Sequence, residues 1–235
     1  MPDSPNIPAT RAFGAQIDFG RTASDYRAYR AGFPPDFSTR LHQLGWASPG
    51  SAAIDLGTGT GTIARGLAAL GLRVTGIDPA AALLAEAEVM DREAGLSIAY
   101  RVGSAEALVE ADESVDLVTA GQCWHWFDRA KAAAEAHRVL VPGGGIIIAH
   151  FDWLPLASNV VEATEALILA HNPRWTMAGG TGLYPAWLRD LREAAFVDIE
   201  TFSFDMDIPY SHEAWRGRIR ASAGVKASLA PAEIA

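Results

Sequence analysis

Most of the chemistry this chain can offer is concentrated in Ile54-Asp55-Leu56-Gly57-Thr58-Gly59-Thr60-Gly61-Thr62. A carboxylate lies within a short apolar run, and glycines follow at alternate positions. Glycine reaches positive φ at no steric cost and lets a ligand approach backbone that a Cβ would otherwise shield. A helix expected from Thr62 adds free N–H groups and the positive end of its dipole. Two ligand types exploit such a turn. A dinucleotide requires G-x-G-x-x-G, with its diphosphate on the helix N-terminus. Here the spacing is G-x-G-x-G, and Thr62 occupies the slot for the third dinucleotide glycine. Asp55, just ahead of the turn, repels a diphosphate and suits a cation such as the ammonium of a methionyl group, held directly or through water. Asp78 ends the next apolar run, where an acidic residue accepts hydrogen bonds from ribose hydroxyls. Dinucleotide folds share that role, and Asp78 could instead cap the helix beginning near Pro79.

Other side chains could act on a second substrate. His125 is the first candidate for a general base, because an unperturbed imidazole titrates near pH 6.5 and the residue follows an expected strand at its ligand-binding end. His150 is the second candidate and His171 a third; each could instead only shape its loop. Trp124, Trp126, Phe127, Trp153 and Trp175 could line an aromatic acceptor pocket or form ordinary core. Tyr26 and Tyr29 could close over a methionyl end with Arg30 near its carboxylate, or simply pack as a helix. Asp152 beside His150 is too little for a catalytic metal site, which normally takes three protein ligands. The single cysteine, Cys123, cannot form an internal disulfide and is expected to be a structural thiol.

Elements of a regular order must position these groups. Ala52 to Leu56, Arg73 to Ile77, Ser97 to Val102, Val115 to Ala120 and Ile146 to Ala149 read as short apolar strands. Between them, Thr62 to Leu70, a segment started by Pro79 and closed by Gly95, and Asp128 to Leu140 read as helices, the last stopped by Pro142 and the glycines after it. Apolar strands alternating with amphipathic helices imply an α/β fold, a doubly wound, mostly parallel sheet covered on both faces. Beyond His150 the rhythm changes to helices at Ser158 to Ala170 and Pro185 to Ala195, a strand at Val197 to Phe204, and a last helix capped by Ser211. The expected organisation is a lead-in and helical cap over 1–45, a binding core over 46–150, a helical insertion or acceptor lid over 151–196, and a C-terminal strand and helix over 197–235. That strand lacks an evident partner, so a shortened chain or an edge supplied by a second chain is the expectation.

Composition narrows the partners. The chain has 235 residues, 49% hydrophobic, with a formal net charge of −9. That balance argues against nucleic acid, whose binders carry basic patches. Arg216, Arg218 and Arg220 form the nearest approach to one and read as a solvated helix face. No apolar stretch reaches membrane-spanning length, and the N-terminus lacks a signal-peptide pattern, so a cytoplasmic monomer or homodimer is expected.

Asp55 to Gly61 with Asp78 closely resembles the S-adenosyl-L-methionine (SAM)-binding motifs of class I methyltransferases. Further segments agree. Gly103-Ser104-Ala105-Glu106-Ala107-Leu108 resembles the family's adenine loop, often G-D-A-E-x-L, with Ser104 in place of the aspartate. Val115-Asp116-Leu117-Val118, followed by Trp124-His125-Trp126-Phe127-Asp128, resembles a subgroup that includes trans-aconitate methyltransferase-like proteins. Arg138 to Gly144 resembles the family's helix-to-strand turn, and Tyr26-x-x-Tyr29-Arg30 its cap over the cofactor. The resemblance spans about Phe19 to His150 and is weak over the insertion. It implies a Rossmann-like fold with SAM as cofactor and contacts from Asp55, Gly57, Thr58, Gly59, Gly61, Asp78, Pro79, Ser104, Ala105, Glu106, Gln122, Tyr26 and Arg30. The expected acceptor is a small molecule, methylated on oxygen ahead of nitrogen or carbon, with His125 catalytic and Tyr29, Trp126, His150, Trp153 and Trp175 on the substrate. The competing readings are a nicotinamide-dependent oxidoreductase and a SAM-binding protein without transferase activity.

Overall fold

A computed structural model describes residues 27–226 and 229–230. Its centre is a five-stranded sheet in the order β3-β2-β1-β4-β5, with β1 at Ala52–Leu56, β2 at Arg73–Asp78, β3 at Ala99–Val102, β4 at Val115–Gly121 and β5 at Leu140–Ala149. All four pairings are parallel. The chain winds from β1 outward to β3, then returns to place β4 on the other side of β1. The crevice at this switch of direction, outside the carboxyl ends of β1 and β4, is where open α/β sheets bind ligands.

Helix α1 (Pro35–Gln43) precedes the sheet, and α2 (Thr62–Ala69), α3 (Ala81–Ala94) and α4 (Arg129–Val139) cross between strands. Alternate side chains of a strand face opposite ways. On β1, Ile54 and Leu56 join a core cluster with Val118, Trp124 and the alanines of α4. Ala53 lies in the other cluster, with Ile63, Leu67, Leu41 and Phe37. Ala132, Ala133 and Ala136 are all at 0% exposure, and their small side chains let α4 lie close to the sheet. Three more helices follow: α5 (Val160–His171), α6 (Pro185–Glu193) and α7 (His212–Arg220). Asn159 and Ser211 cap α5 and α7 by accepting from Glu162 N and Ala214 N.

The expected α/β architecture is the one observed, with local corrections. Strand β5 begins at Leu140, directly after α4, so Pro142 and its glycines lie within the strand rather than in a loop before it. Val115 pairs with Leu140 but Leu117 pairs with Gly145. The extra residues bulge out, and Gly143 takes φ +83° to allow it. Helix α3 starts at Ala81, so Pro79 stands before the cap residue Ala80 rather than in the first turn. Val197 to Phe204 forms no strand. Val197 and Phe204 remain exposed. Phe202 instead meets Trp46 at 6.0 Å between ring centroids and receives the Arg40 guanidinium at 4.7 Å. Two of the C-terminal arginines also depart from a solvated face, with Arg218 over the Trp153 ring at 4.3 Å and Arg220 over Tyr29 at 5.7 Å.

Candidate functional site

The turn after β1 is left-handed at each glycine, with φ +57° at Gly57, +57° at Gly59 and +77° at Gly61. Their surroundings differ. A Cβ on Gly57 would lie 2.7 Å from Cys123 Cβ, and one on Gly61 would strike the Tyr100 phenol. Nothing lies within 4 Å of the position a Cβ would take on Gly59. Gly57 and Gly61 are therefore required by packing, whereas Gly59 presents bare backbone to open space. That space is a cleft bounded by Gly57 to Thr60, by Gly121 and Gln122 at the end of β4, and by Arg27 and Arg30 to Phe33 of the lead-in.

Thr62, in the slot of the third dinucleotide glycine, has a local task. Its hydroxyl accepts the Phe33 N–H at 2.8 Å, pinning the lead-in to the start of α2. Arg30 reaches across the cleft to Gln122 Oε1, and the Gln122 amide donates to Phe151 O. Gln122 has φ +57°, a strained value for a side-chain-bearing residue.

Asp55 is 1% exposed and does not border the cleft. Its two carboxylate oxygens accept the hydroxyls of Thr58 at 2.6 Å and Thr119 at 2.7 Å. Burial outweighs these bonds and pushes its pKa up to about 6. Asp78 lies beneath the same turn. It accepts the N–H of Gly59 at 2.9 Å and of Ala80 at 2.8 Å, and burial raises its pKa to about 6 as well. Asp78 thus holds the glycine turn and the residue before α3, but it does not cap that helix, whose cap position is Ala80. Together these two acids make the floor of the glycine turn a region that favours positive charge.

The remaining expected contacts divide. The Ser104 hydroxyl donates to Glu106, whose other oxygen accepts the Asp128 N–H at 2.8 Å, so this loop is tied to the start of α4. Ala105 is buried. Tyr26 lies outside the described residues. Tyr29 packs on α7, where its ring blocks any Cβ on Gly217. The Trp153 indole donates to Glu165 at 3.0 Å and that of Trp215 to Thr164 at 3.1 Å, both on α5. Trp175 packs against Gly224. Trp124 is fully buried and donates to Asp190 at 3.1 Å. Of the five rings expected to share one pocket, Trp124, Trp126 and Phe127 stay in one core cluster, with Trp126 beside His125 at 4.5 Å, whereas Trp153 and Trp175 pack elsewhere. Cys123 is buried, donates to Leu56 O at 3.1 Å and has its thiol pKa pushed up by burial, as befits a structural thiol.

His125 and His150 come together at 5.4 Å between ring centroids. Burial and the neighbouring His150 lower the His125 pKa to about 3. His150 Nδ1 is 2.5 Å from Asp152 Oδ1, and the Tyr184 phenol donates to the other Asp152 oxygen. Burial opposes the Asp152 charge, but the bonds from His150 and Tyr184 prevail and hold its carboxyl below the ordinary range. Sequence reasoning missed Tyr184, along with Arg27, Phe33 and Arg65 on the cleft wall. Tyr184, Arg27 and Phe33 approach the site from remote segments, whereas Arg65 lies in the first turn of α2 and is turned toward Asp91. Among the described residues no three His, Cys, Asp or Glu side chains cluster as metal ligands, and no helix is long and apolar enough to cross a membrane.

Comparison with known proteins agrees with this geometry. Residues 54–148 match a family model described as a methyltransferase domain. An uncharacterised methyltransferase of Mycobacterium tuberculosis is 35% identical over 130 residues, 54% of this chain and 49% of that one. The chain thus spans about half the length of that relative. A ubiquinone biosynthesis O-methyltransferase of Pseudomonas syringae is 33% identical over 147 residues, 60% of this chain and 63% of that one. A solved structure assigned as a SAM-dependent methyltransferase from Methanococcus maripaludis superimposes with a TM-score of 0.54 at 18% identity, covering 83% of this chain and 84% of that one, a likeness of fold. Residues 54–148 are thus similar to a methyltransferase domain, and the parallel sheet they contribute to is Rossmann-like.

Proposed function

We propose that this chain is a SAM-dependent methyltransferase that transfers a methyl group to an oxygen of a small-molecule acceptor. One observation carries the cofactor reading: bare Gly59 backbone faces an open cleft above two buried acids, Asp55 and Asp78. The residues fit SAM. The cleft floor favours a positively charged ligand and disfavours a diphosphate. Gly57 to Thr60 admit close approach of the methionyl portion, Arg30 and Gln122 stand across from them, and the Asp78 carboxylate serves the ribose. Backbone of Ala105 and Glu106 would border the adenine. When bound, SAM supplies an electrophilic methyl group on a sulfonium with a good neutral leaving group. The protein's task is then to align the acceptor and exclude water.

The oxygen acceptor is favoured over nitrogen or carbon by the O-methyltransferase relative and by a histidine–carboxylate pair at the end of β5. Residues 151–196 would form the lid over that acceptor. Its helix α5 is tied to α7 through Trp215 and Thr164 and to the loop after β5 through Trp153 and Glu165.

Calorimetry with SAM, S-adenosylhomocysteine and NAD tests the cofactor. Binding of the first two and not the third is expected. Asp78→Ala should weaken S-adenosylhomocysteine binding by ~10- to 100-fold, since a charged acceptor of hydrogen bonds is lost. Tight NAD binding without SAM would reverse the assignment.

A further inference from the structure

We infer that His150, positioned by Asp152 and Tyr184, is the base that takes the acceptor's proton, and that the acceptor is a flat molecule bearing a hydroxyl. This deepens the methyltransferase reading above and rests on it. The imidazole Nδ1 lies 2.5 Å from Asp152 Oδ1, and Tyr184 donates its phenolic proton to Asp152 Oδ2. With both carboxylate oxygens acting as acceptors, neutral His150 carries its proton on Nδ1 and keeps its lone pair at Nε2. That Nε2 is buried and finds no hydrogen-bond partner among the described residues. A buried polar atom left unmatched is costly, and a bound hydroxyl would satisfy it. The backbone around it is tied to the cofactor cleft. Ala149 O accepts the Gln122 N–H at 2.9 Å, Phe151 O accepts the Gln122 amide, and Gln122 itself borders the cleft.

Aromatic rings enclose the imidazole, the kind of neighbours that stack on a planar acceptor. Tyr184 stacks on Trp187 at 4.0 Å and 7°, and the His150 ring lies 5.7 Å from Trp187 and 5.4 Å from His125. His125 remains neutral beside it, its conjugate acid disfavoured by burial. In the transfer the acceptor's O–H bond breaks and its proton ends on His150 Nε2. The oxygen forms its bond to the methyl carbon, and the carbon–sulfur pair leaves with sulfur. The imidazolium formed is matched by Asp152.

Two measurements test this. In ¹⁵N-histidine-labelled protein, long-range proton–nitrogen correlation should show His150 as the Nδ1–H tautomer, and Asp152→Asn should abolish that preference. Methyl transfer from labelled SAM is then compared at mildly alkaline pH with phenol, which keeps its proton there, and 4-nitrophenol, which is largely ionised. His150→Gln should lose ~100-fold in kcat with phenol, the scale of general-base catalysis, and several-fold at most with 4-nitrophenol. An equal loss with both probes, an Nε2–H tautomer in the wild type, or transfer to neither phenol would overturn the inference. Retained binding of S-adenosylhomocysteine in that case leaves the methyltransferase reading standing, whereas its absence removes both.

Discussion

The backbone N–H of Gly59 donates to Asp78 Oδ2 at 2.9 Å, joining the turn after β1 to the end of β2. This one bond holds the half-buried glycine in its left-handed shape while leaving its Cα face open. The same carboxylate accepts from Ala80, so Asp78 shapes both sides of the crevice before any ligand arrives.

The glycines of the turn should therefore separate by substitution. Gly59→Ala has room for its methyl group but not the preferred φ, and should cost about 1–2 kcal/mol of stability. Its methyl would enter the cleft, so S-adenosylhomocysteine binding should fall by far more than that cost implies. Gly57→Ala meets Cys123 at 2.7 Å as well, adding an overpacking penalty for about 3 kcal/mol or more in all. Urea melts beside binding calorimetry check the contrast. Equal stability losses, or intact binding by Gly59→Ala, would contradict it.

Asp55 is a stability cost at neutral pH. Its folded pKa of about 6 exceeds the unfolded 3.8, so the folded chain keeps a proton that the unfolded chain has released. Stability consequently falls as pH rises from about 4 to about 6, by roughly 3 kcal/mol at full extent. Asp78 acts with the same sign over the same window. Asp55→Asn should be about 2 kcal/mol more stable than wild type at pH 7.5, with little gain at pH 4, and should bind S-adenosylhomocysteine more weakly. Denaturant midpoints across that range provide the check; a variant destabilised equally at both pH values would refute the desolvation account.

His125 has the opposite dependence. Its folded pKa is lowered from 6.5 to about 3, with burial the largest cause. Between those values the unfolded chain takes up a proton that the folded chain refuses, so stability drains as pH falls, by roughly 5 kcal/mol at the limit. His125→Gln should flatten the acid limb of a melting-temperature profile between pH 6.5 and 3, while losing less transfer to phenol than His150→Gln. An unchanged acid limb would show that His125 is not held neutral by the fold.

Local pattern in the chain was enough to determine the alternating strands and helices, the glycine turn and the acid that ends β2. Each of these depends on residues adjacent in sequence: apolar spacing selects the element, and glycine permits the left-handed φ. Tertiary structure alone decided the rest. Asp55 finds Thr119, 64 positions away, and so withdraws from the cleft it was expected to face. His150 finds Tyr184, 34 positions away, while Trp153 and Trp175 pack apart from the cluster that holds Trp124 and Trp126. Val197 to Phe204 has a strand's alternation but no strand, because alternation alone does not bring a segment onto a partner's backbone. The beginning of β5 shows the converse: glycines and a proline that read as a stop are carried within a strand, because β4 offers an edge and the excess residues bulge away from it.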